Sequence, residues 1–144
     1  MGQYFSSTEE MYRIFGALYD RVKYDEEVGP KLAKANLIVR FNYTDPEGSV
    51  TINAKDKPAD EKAFLDYRFD DNEQTPDVTM TQTADFSHRF WHGRENAIMA
   101  IATRKIKAEG NVAAALALLP AIRPVFRLYP KVLKDIGREE LIVK

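Results

Sequence analysis

His88 and His92 are the two histidines of the chain, and they stand four residues apart in ADFSHRFWHG. On a helix, that spacing puts two imidazoles on one face, where they can share a metal ion with Asp85 or Glu95 as a third ligand. No H-E-x-x-H accompanies them, and no completing ligand motif stands elsewhere. A pair this bare reads ordinarily as two partly exposed helix-surface histidines, so neither metal nor cofactor is expected. Ser6, Ser7, Ser49 and Ser87 all lie outside a G-x-S-x-G elbow. Neither G-x-x-x-x-G-K-[ST] nor G-x-G-x-x-G occurs, so no phosphate-cradling loop or dinucleotide fold is indicated. The acidic pairs Glu26-Glu27 and Asp70-Asp71 fall in expected loops or element ends, where solvated charge is the ordinary explanation. With no cysteine there is no disulfide, thiolate metal site or cysteine nucleophile, which fits a reducing compartment. The chemistry on offer is not that of an enzyme.

The second half of the chain offers an apolar surplus instead. Phe86, Phe90, Ile98, Met99, Ile101, Leu116, Leu119 and Phe126 all fall on short or proline-broken helical stretches. Most apolar residues at helical spacing are plain core. Kinked helices over a single sheet pack imperfectly, however, and aromatic and Met side chains commonly line apolar pockets.

The elements that must position these residues can be read from periodicity. Ser7 and Glu10 form a capping-box pair, followed by Met11, Ile14, Phe15, Leu18 and Val22 at helical spacing; the N-terminal helix is expected over 7–28. From residue 35 the period becomes two. Leu37, Val39, Phe41 and Tyr43 share one face of a first strand, and Asp45-Pro46-Glu47-Gly48 turns it into a second with Val50, Ile52 and Ala54. Ala63, Leu65, Tyr67 and Phe69 mark a third strand, and Val78, Met80 and Gln82 a fourth. Short connections favour an antiparallel arrangement over βαβ crossovers. Helices return at Asp85 and at ENAIMAIAT, Arg104 to Ala108 alternates as a fifth strand, and VAAALALL is a further apolar helix. Prolines at 120, 124 and 130 predict a broken C-terminal helix over 120–137. The result is one α+β domain over 1–144, with a five-stranded, mostly antiparallel sheet and helices packed on one face.

With 144 residues, 44% hydrophobic and 30% charged, the composition is that of a globular chain able to bury a core. The longest uncharged apolar stretch, Val112 to Ile122, is too short for a membrane span of about 20 residues and holds Pro120. The start lacks a signal-peptide pattern, and the tail LIVK is no address signal, so a cytoplasmic location is expected. Gly2 and Ser6 fit the permissive myristoylation pattern, which chance readily supplies. Net charge is −1, but 21 basic and 22 acidic residues are unevenly placed. Arg104, Lys105, Lys107, Arg123, Arg127, Lys131 and Lys134 face only Glu109 in residues 104–134. Such asymmetry attracts anionic partners; without a dense basic block it argues against nucleic acid.

From Asp77 to Leu119 the chain resembles the sterol carrier protein family, the type-2 sterol-binding domain. The elements carrying the resemblance read DVTMT (77–81), DF (85–86), Gly93, AIMAIA (97–102), KIKAEGN (105–111) and VAAALALL (112–119), in that order. Element order extends the likeness to about residues 10–130. Two features depart from the family: Arg104 stands where it usually has Gly, and the proline-interrupted segment from Pro120 differs from its ending. The resemblance implies a non-catalytic lipid-binding module whose apolar tunnel, between sheet and helices, takes a fatty acyl chain, acyl-CoA or sterol-like ligand. On this reading Phe86, Phe90, Ile98, Met99, Ile101, Leu116, Leu119 and Phe126 line the tunnel. Arg104, sharing the inward face of the fifth strand with Ile106, clamps a carboxylate at its mouth. Arg123, Arg127, Lys131 and Lys134 form a basic stripe for transient docking on anionic membranes. Two other readings stay open: a small enzyme acting on an acyl or apolar substrate with His88 or His92 as base, and a module that binds a partner protein through the basic helix.

Overall fold

The computed structural model describes residues 2–144. Helix α1 (Thr8–Val22) starts where Ser7 accepts a hydrogen bond from the Glu10 amide at 3.1 Å. The other half of the expected capping box is absent, because the Glu10 carboxylate accepts from the Ser6 hydroxyl at 2.6 Å and pairs with Arg138 at 2.9 Å. Helix α1 ends at Val22, short of the expected residue 28, and Gly29-Pro30 opens a second helix, α2 (Gly29–Ala35). Proline suits a first helical turn, whose N–H groups have no intrahelical partner.

Five strands follow: β1 (Ile38–Thr44), β2 (Gly48–Asn53), β3 (Asp66–Phe69), β4 (Val78–Thr83) and β5 (Lys107–Gly110). Their spatial order is β3-β2-β1-β4-β5. All neighbours are antiparallel except β1 and β4, which run parallel. The sheet is thus mostly antiparallel, as expected, and the reason for its one parallel pair lies in residues 70–77. They carry the chain from one sheet edge back past β2 and β1, across the outer face. There Arg40 binds the loop, reaching Asp71 at 3.1 Å and the Gln74 carbonyl at 2.8 Å, while its Nε donates to Thr51 at 2.9 Å. Asp71 is therefore a buried ion-pair partner and not the solvated charge its sequence suggested. Burial pushes its carboxyl up, but the amides of Gln74 and Glu73 and the Arg40 guanidinium outweigh this and hold it below the usual carboxylate range.

Side chains alternate across the sheet as the period-two pattern requires. One inner row runs Phe69, Val50, Phe41, Met80, Ala108; the next runs Tyr67, Ile52, Val39, Val78. Helices α3 (Ala84–Phe90), α4 (Ala97–Ala102), α5 (Val112–Leu116), α6 (Leu119–Ile122) and α7 (Val125–Asp135) complete the cover with α1 and α2. Pro120 lies in the first turn of α6 and Pro124 caps α7; the apolar stretch 112–122 meets α7 at a bend of 67°. Among the described residues no single helix is long and apolar enough to cross a membrane.

The main core sits where α1 and α7 cross the sheet. Met11, Ile14, Phe15 and Leu18 of α1 and Tyr129, Val132 and Leu133 of α7 have no solvent exposure. Phe15 is at its centre, with ring centroids 5.2 Å from Phe5, 5.3 Å from Tyr43 and 6.3 Å from Tyr129. Burial of side chains this large contributes about 1.5–3 kcal/mol each.

Candidate functional site

Over β1 and β4 the packing is different: the side chains leave a cavity between sheet and helices. About 910 Å³ is free of atoms, solvent at the mouth included, and the centre of a water molecule can occupy about 120 Å³ of it. The sheet contributes Val39, Phe41 and Tyr43 from β1, Ile52 from β2, and Met80 and Gln82 from β4. Phe86, Ser87, Phe90 and Trp91 form a wall from α3 and its end, Leu32 and Leu37 contribute from α2 and the start of the sheet, and Ala97 comes from α4. The remaining cover is Ala115, Leu116, Leu118, Leu119 and Ile122 on α5–α6. Neither α5 nor α6 buries a single residue fully. Two helices of five and four residues, one opened by proline, span the sheet without pressing large side chains into it. The space stays open for that reason. Among the described residues no charged side chain lines it.

Of the residues expected at such a site, Phe86, Phe90, Leu116 and Leu119 lie in its wall. Ile101 packs against the same apolar cluster without lining the cavity. Phe126 lies behind the wall, its ring 5.6 Å from that of Phe90 and nearly perpendicular to it. Ile98 and Met99 do not line the cavity: each is 60% exposed. A helix of six residues has one inward face, and Ala97 and Ala100 occupy it. Arg104 does not line it either. The fifth strand begins only at Lys107, and Arg104 sits in the preceding turn at φ 63°, exposed to solvent. The expected carboxylate clamp is thus not built. That left-handed backbone favours glycine, the residue usual at this position in the resembling family, and costs another residue about 1 kcal/mol. Ile106, two residues on, does turn inward.

Gln82 and Ser87, neither among the expected site residues, come together in this wall: Gln82 Nε2 donates to Ser87 Oγ. Gln82 is 6% exposed and Ser87 1%. Period two already aimed Gln82 inward beside Val78 and Met80, and a polar residue on an apolar strand face was the signal to follow.

The histidines are buried and fully bonded, not surface residues. His88 Nε2 lies 2.7 Å from the Leu141 carbonyl, which can only accept, so this nitrogen carries the proton. Nδ1 then accepts from the Tyr129 hydroxyl at 2.8 Å. In His92, Nδ1 donates to the His88 carbonyl at 2.7 Å and Nε2 accepts from the Val143 amide at 3.2 Å. Each ring is neutral, with both nitrogens in use. Burial pushes His88 down to about 4, and it lowers His92 as well. The suggested third ligands are engaged too: Asp85 accepts from the amides of Gln3 and Tyr4 at 2.7 and 3.2 Å, and Glu95 pairs with Arg89 at 2.9 Å. Helix α3 is capped by Thr83, whose hydroxyl accepts from the Phe86 amide at 3.0 Å. Among the described residues no cluster of three metal-ligating side chains occurs.

On α7, Val125, Tyr129, Val132 and Leu133 pack into the fold, while Arg123 just before it and Arg127, Lys131 and Lys134 along it are exposed. The helix therefore offers charge to its surroundings, and its apolar side is already used.

The fold has counterparts among known proteins. The SCP-2 sterol transfer family profile matches residues 15–123. The chain belongs to the SCP-2 sterol transfer family. Sterol carrier protein domain 2 of Helicoverpa armigera is 26% identical, with 85% of this chain and 96% of that one covered at a TM-score of 0.60. Sterol carrier protein 2 from Yarrowia lipolytica, in its apo form, is 21% identical, with 87% and 95% covered at 0.57. The stereoselective inverting sec-alkylsulfatase Pisa1 from a Pseudomonas species is 13% identical and matches at 0.54; 69% of this chain is covered but only 14% of that one. The SCP-2 fold thus occurs both as nearly a whole chain and as a small part of an enzyme. No curated protein matches this chain.

Proposed function

We propose that this SCP-2 family member is a non-catalytic lipid carrier, holding a fatty acyl chain, acyl-CoA or sterol-like ligand in the cavity under α3–α6. One observation carries the reading: a cavity between sheet and helices, walled by aliphatic and aromatic side chains with no charged group among them. Binding sites for apolar molecules have this composition, with a few polar groups to orient the ligand. Family membership supports it. The alternative, an enzyme with His88 or His92 as base, finds no support, since each ring already makes two hydrogen bonds within the core.

Loading a carrier requires contact with a membrane. The exposed cations Arg104, Lys105, Arg123, Arg127, Lys131 and Lys134 support transient attraction to an anionic surface, at about 1 kcal/mol per cation close to it. Vesicle binding should rise with anionic lipid, fall with salt, and drop when Arg127 and Lys131 are replaced by Glu. The test of the carrier reading itself is native mass spectrometry of freshly purified protein, followed by titration with an environment-sensitive fluorescent lipid. A co-purified apolar ligand or saturable micromolar binding is expected; neither appearing would refute it.

A further inference from the structure

The wall of the cavity is apolar except at one place. Tyr43 and Gln82 occupy facing positions on the parallel strands β1 and β4, and Ser87 stands on the first turns of α3 beside them. Tyr43 spends its hydroxyl on Tyr19, 3.0 Å away. The side chains of Gln82 and Ser87 bond only to each other among the described residues. Every fully enclosed side-chain nitrogen or oxygen in the described residues has a partner. Gln82 Oε1 has none and must therefore border open space, and the open space beside this residue is the cavity.

Counting donors and acceptors gives the same result whichever way the amide is turned. With Nε2 toward Ser87, the pair keeps Gln82 Oε1 as acceptor and the second Nε2–H and the Ser87 O–H as donors. With the amide reversed, Ser87 donates to Oε1 and the spare groups are an Nε2–H and the serine lone pairs. Either way spare donors and spare acceptors remain side by side in an otherwise apolar space. Leaving them unmet next to a bound hydrocarbon is unfavourable, because a desolvated polar group needs a partner. An ionised carboxylate is the wrong partner, since no cation lines the cavity to balance it. A hydroxyl, which donates and accepts at once, meets a donor and an acceptor of the pair together.

We infer that the Gln82–Ser87 pair is a recognition site for the hydroxyl group of an otherwise apolar ligand held inside the cavity. This rests on the lipid-carrier reading and narrows its ligand class to neutral alcohols. A long-chain alcohol and a sterol share that chemistry, and the experiment separates them. A fluorescent probe bound in the cavity is displaced by dodecanol against dodecane, and by cholestanol against cholestane. The wild-type protein should prefer the alcohol of at least one pair by about five- to tenfold, as expected for one or two buried hydrogen bonds. The pair that shows it identifies the ligand type. In Ser87→Ala and Gln82→Leu the preference should fall to near unity while hydrocarbon affinity holds or rises. Equal affinity for alcohol and hydrocarbon in the wild type overturns the inference and leaves the carrier reading intact. So does a loss of both ligands together in the variants, which marks a purely structural pair. Ser87→Ala removes one oxygen only, and it decides the matter if Gln82→Leu does not fold. Binding of none of the four ligands refutes both readings.

Discussion

Where α1 and α7 pack together, Phe15, Leu18, Tyr129 and Leu133 form a core with no solvent exposure. Over β1 and β4, the same inner rows meet alanines and half-exposed leucines, and a cavity remains. The strands do not account for the difference, since Phe41 belongs to both regions. The covering helices do. Fifteen and eleven residues give α1 and α7 several turns in which to bury a continuous apolar stripe. Helices α4, α5 and α6 have six, five and four residues, cut by turns and by Pro120, and each sets only one or two side chains against the sheet. Interiors normally pack to crystal-like density. A region that does not, in a fold that elsewhere does, is where a ligand belongs.

The largest expected effect tests that contrast in stability. Phe15→Ala or Leu133→Ala should cost about 3–5 kcal/mol, whereas Leu116→Ala, next to space that is already empty, should cost about 1 kcal/mol or less. Denaturant unfolding measures both, and equal costs would erase the distinction between filled and hollow regions.

The filled region also carries the pH response. His88 is held at about 4 in the fold against roughly 6.5 in the unfolded chain, so between these values only the unfolded state takes up the proton. Stability should therefore be flat above about pH 7 and fall as pH drops through 6.5 toward 4, by roughly 3 kcal/mol. His88→Gln should flatten that slope without abolishing it, because His92 is lowered too. A slope unchanged in this variant would mean His88 is not the buried neutral group described.

On the outer face, Asp71→Asn should weaken the bond with Arg40 that ties the crossing loop to the sheet, at about 2 kcal/mol. Ligand affinity should not change, since loop and cavity lie on opposite faces. A matching loss of binding would show the faces to be coupled. The smallest effect is at Arg104. Arg104→Gly should stabilise by about 0.5–1 kcal/mol by relieving the positive φ, and Arg104→Met should weaken a fatty acid no more than the matching alcohol. A selective loss of the acid would revive the clamp that the geometry removes.

The inner strand faces were legible in sequence because alternation is a local property: Val39, Phe41 and Tyr43 had to share a face. The parallel pairing of β1 with β4 was not, because it depends on a loop pinned to Arg40 from about thirty residues away. Ile106 could be placed inward from its alternation. Arg104, assigned to the same strand, falls in a turn that only the backbone angle reveals. Ile98 and Met99 looked like cavity residues by type alone; the short helix gave its inward face to Ala97 and Ala100. The histidines looked exposed because their partners, Tyr129, Leu141 and Val143, come from the far end of the chain. Local pattern fixed faces; long-range partners decided burial.

The central claim, that the space under α4–α6 holds the ligand, is tested most directly by filling it. Ala115 lines the cavity and Ala113, two residues away on α5, faces solvent. Titration of a fluorescent lipid into Ala115→Trp and Ala113→Trp, with folding checked by thermal unfolding, compares an indole inside the cavity with one outside. The account predicts that Ala113→Trp binds as the wild type does while Ala115→Trp loses affinity tenfold or more, on the order of the overpacking cost of a filled site. Equal binding by both folded variants would contradict it.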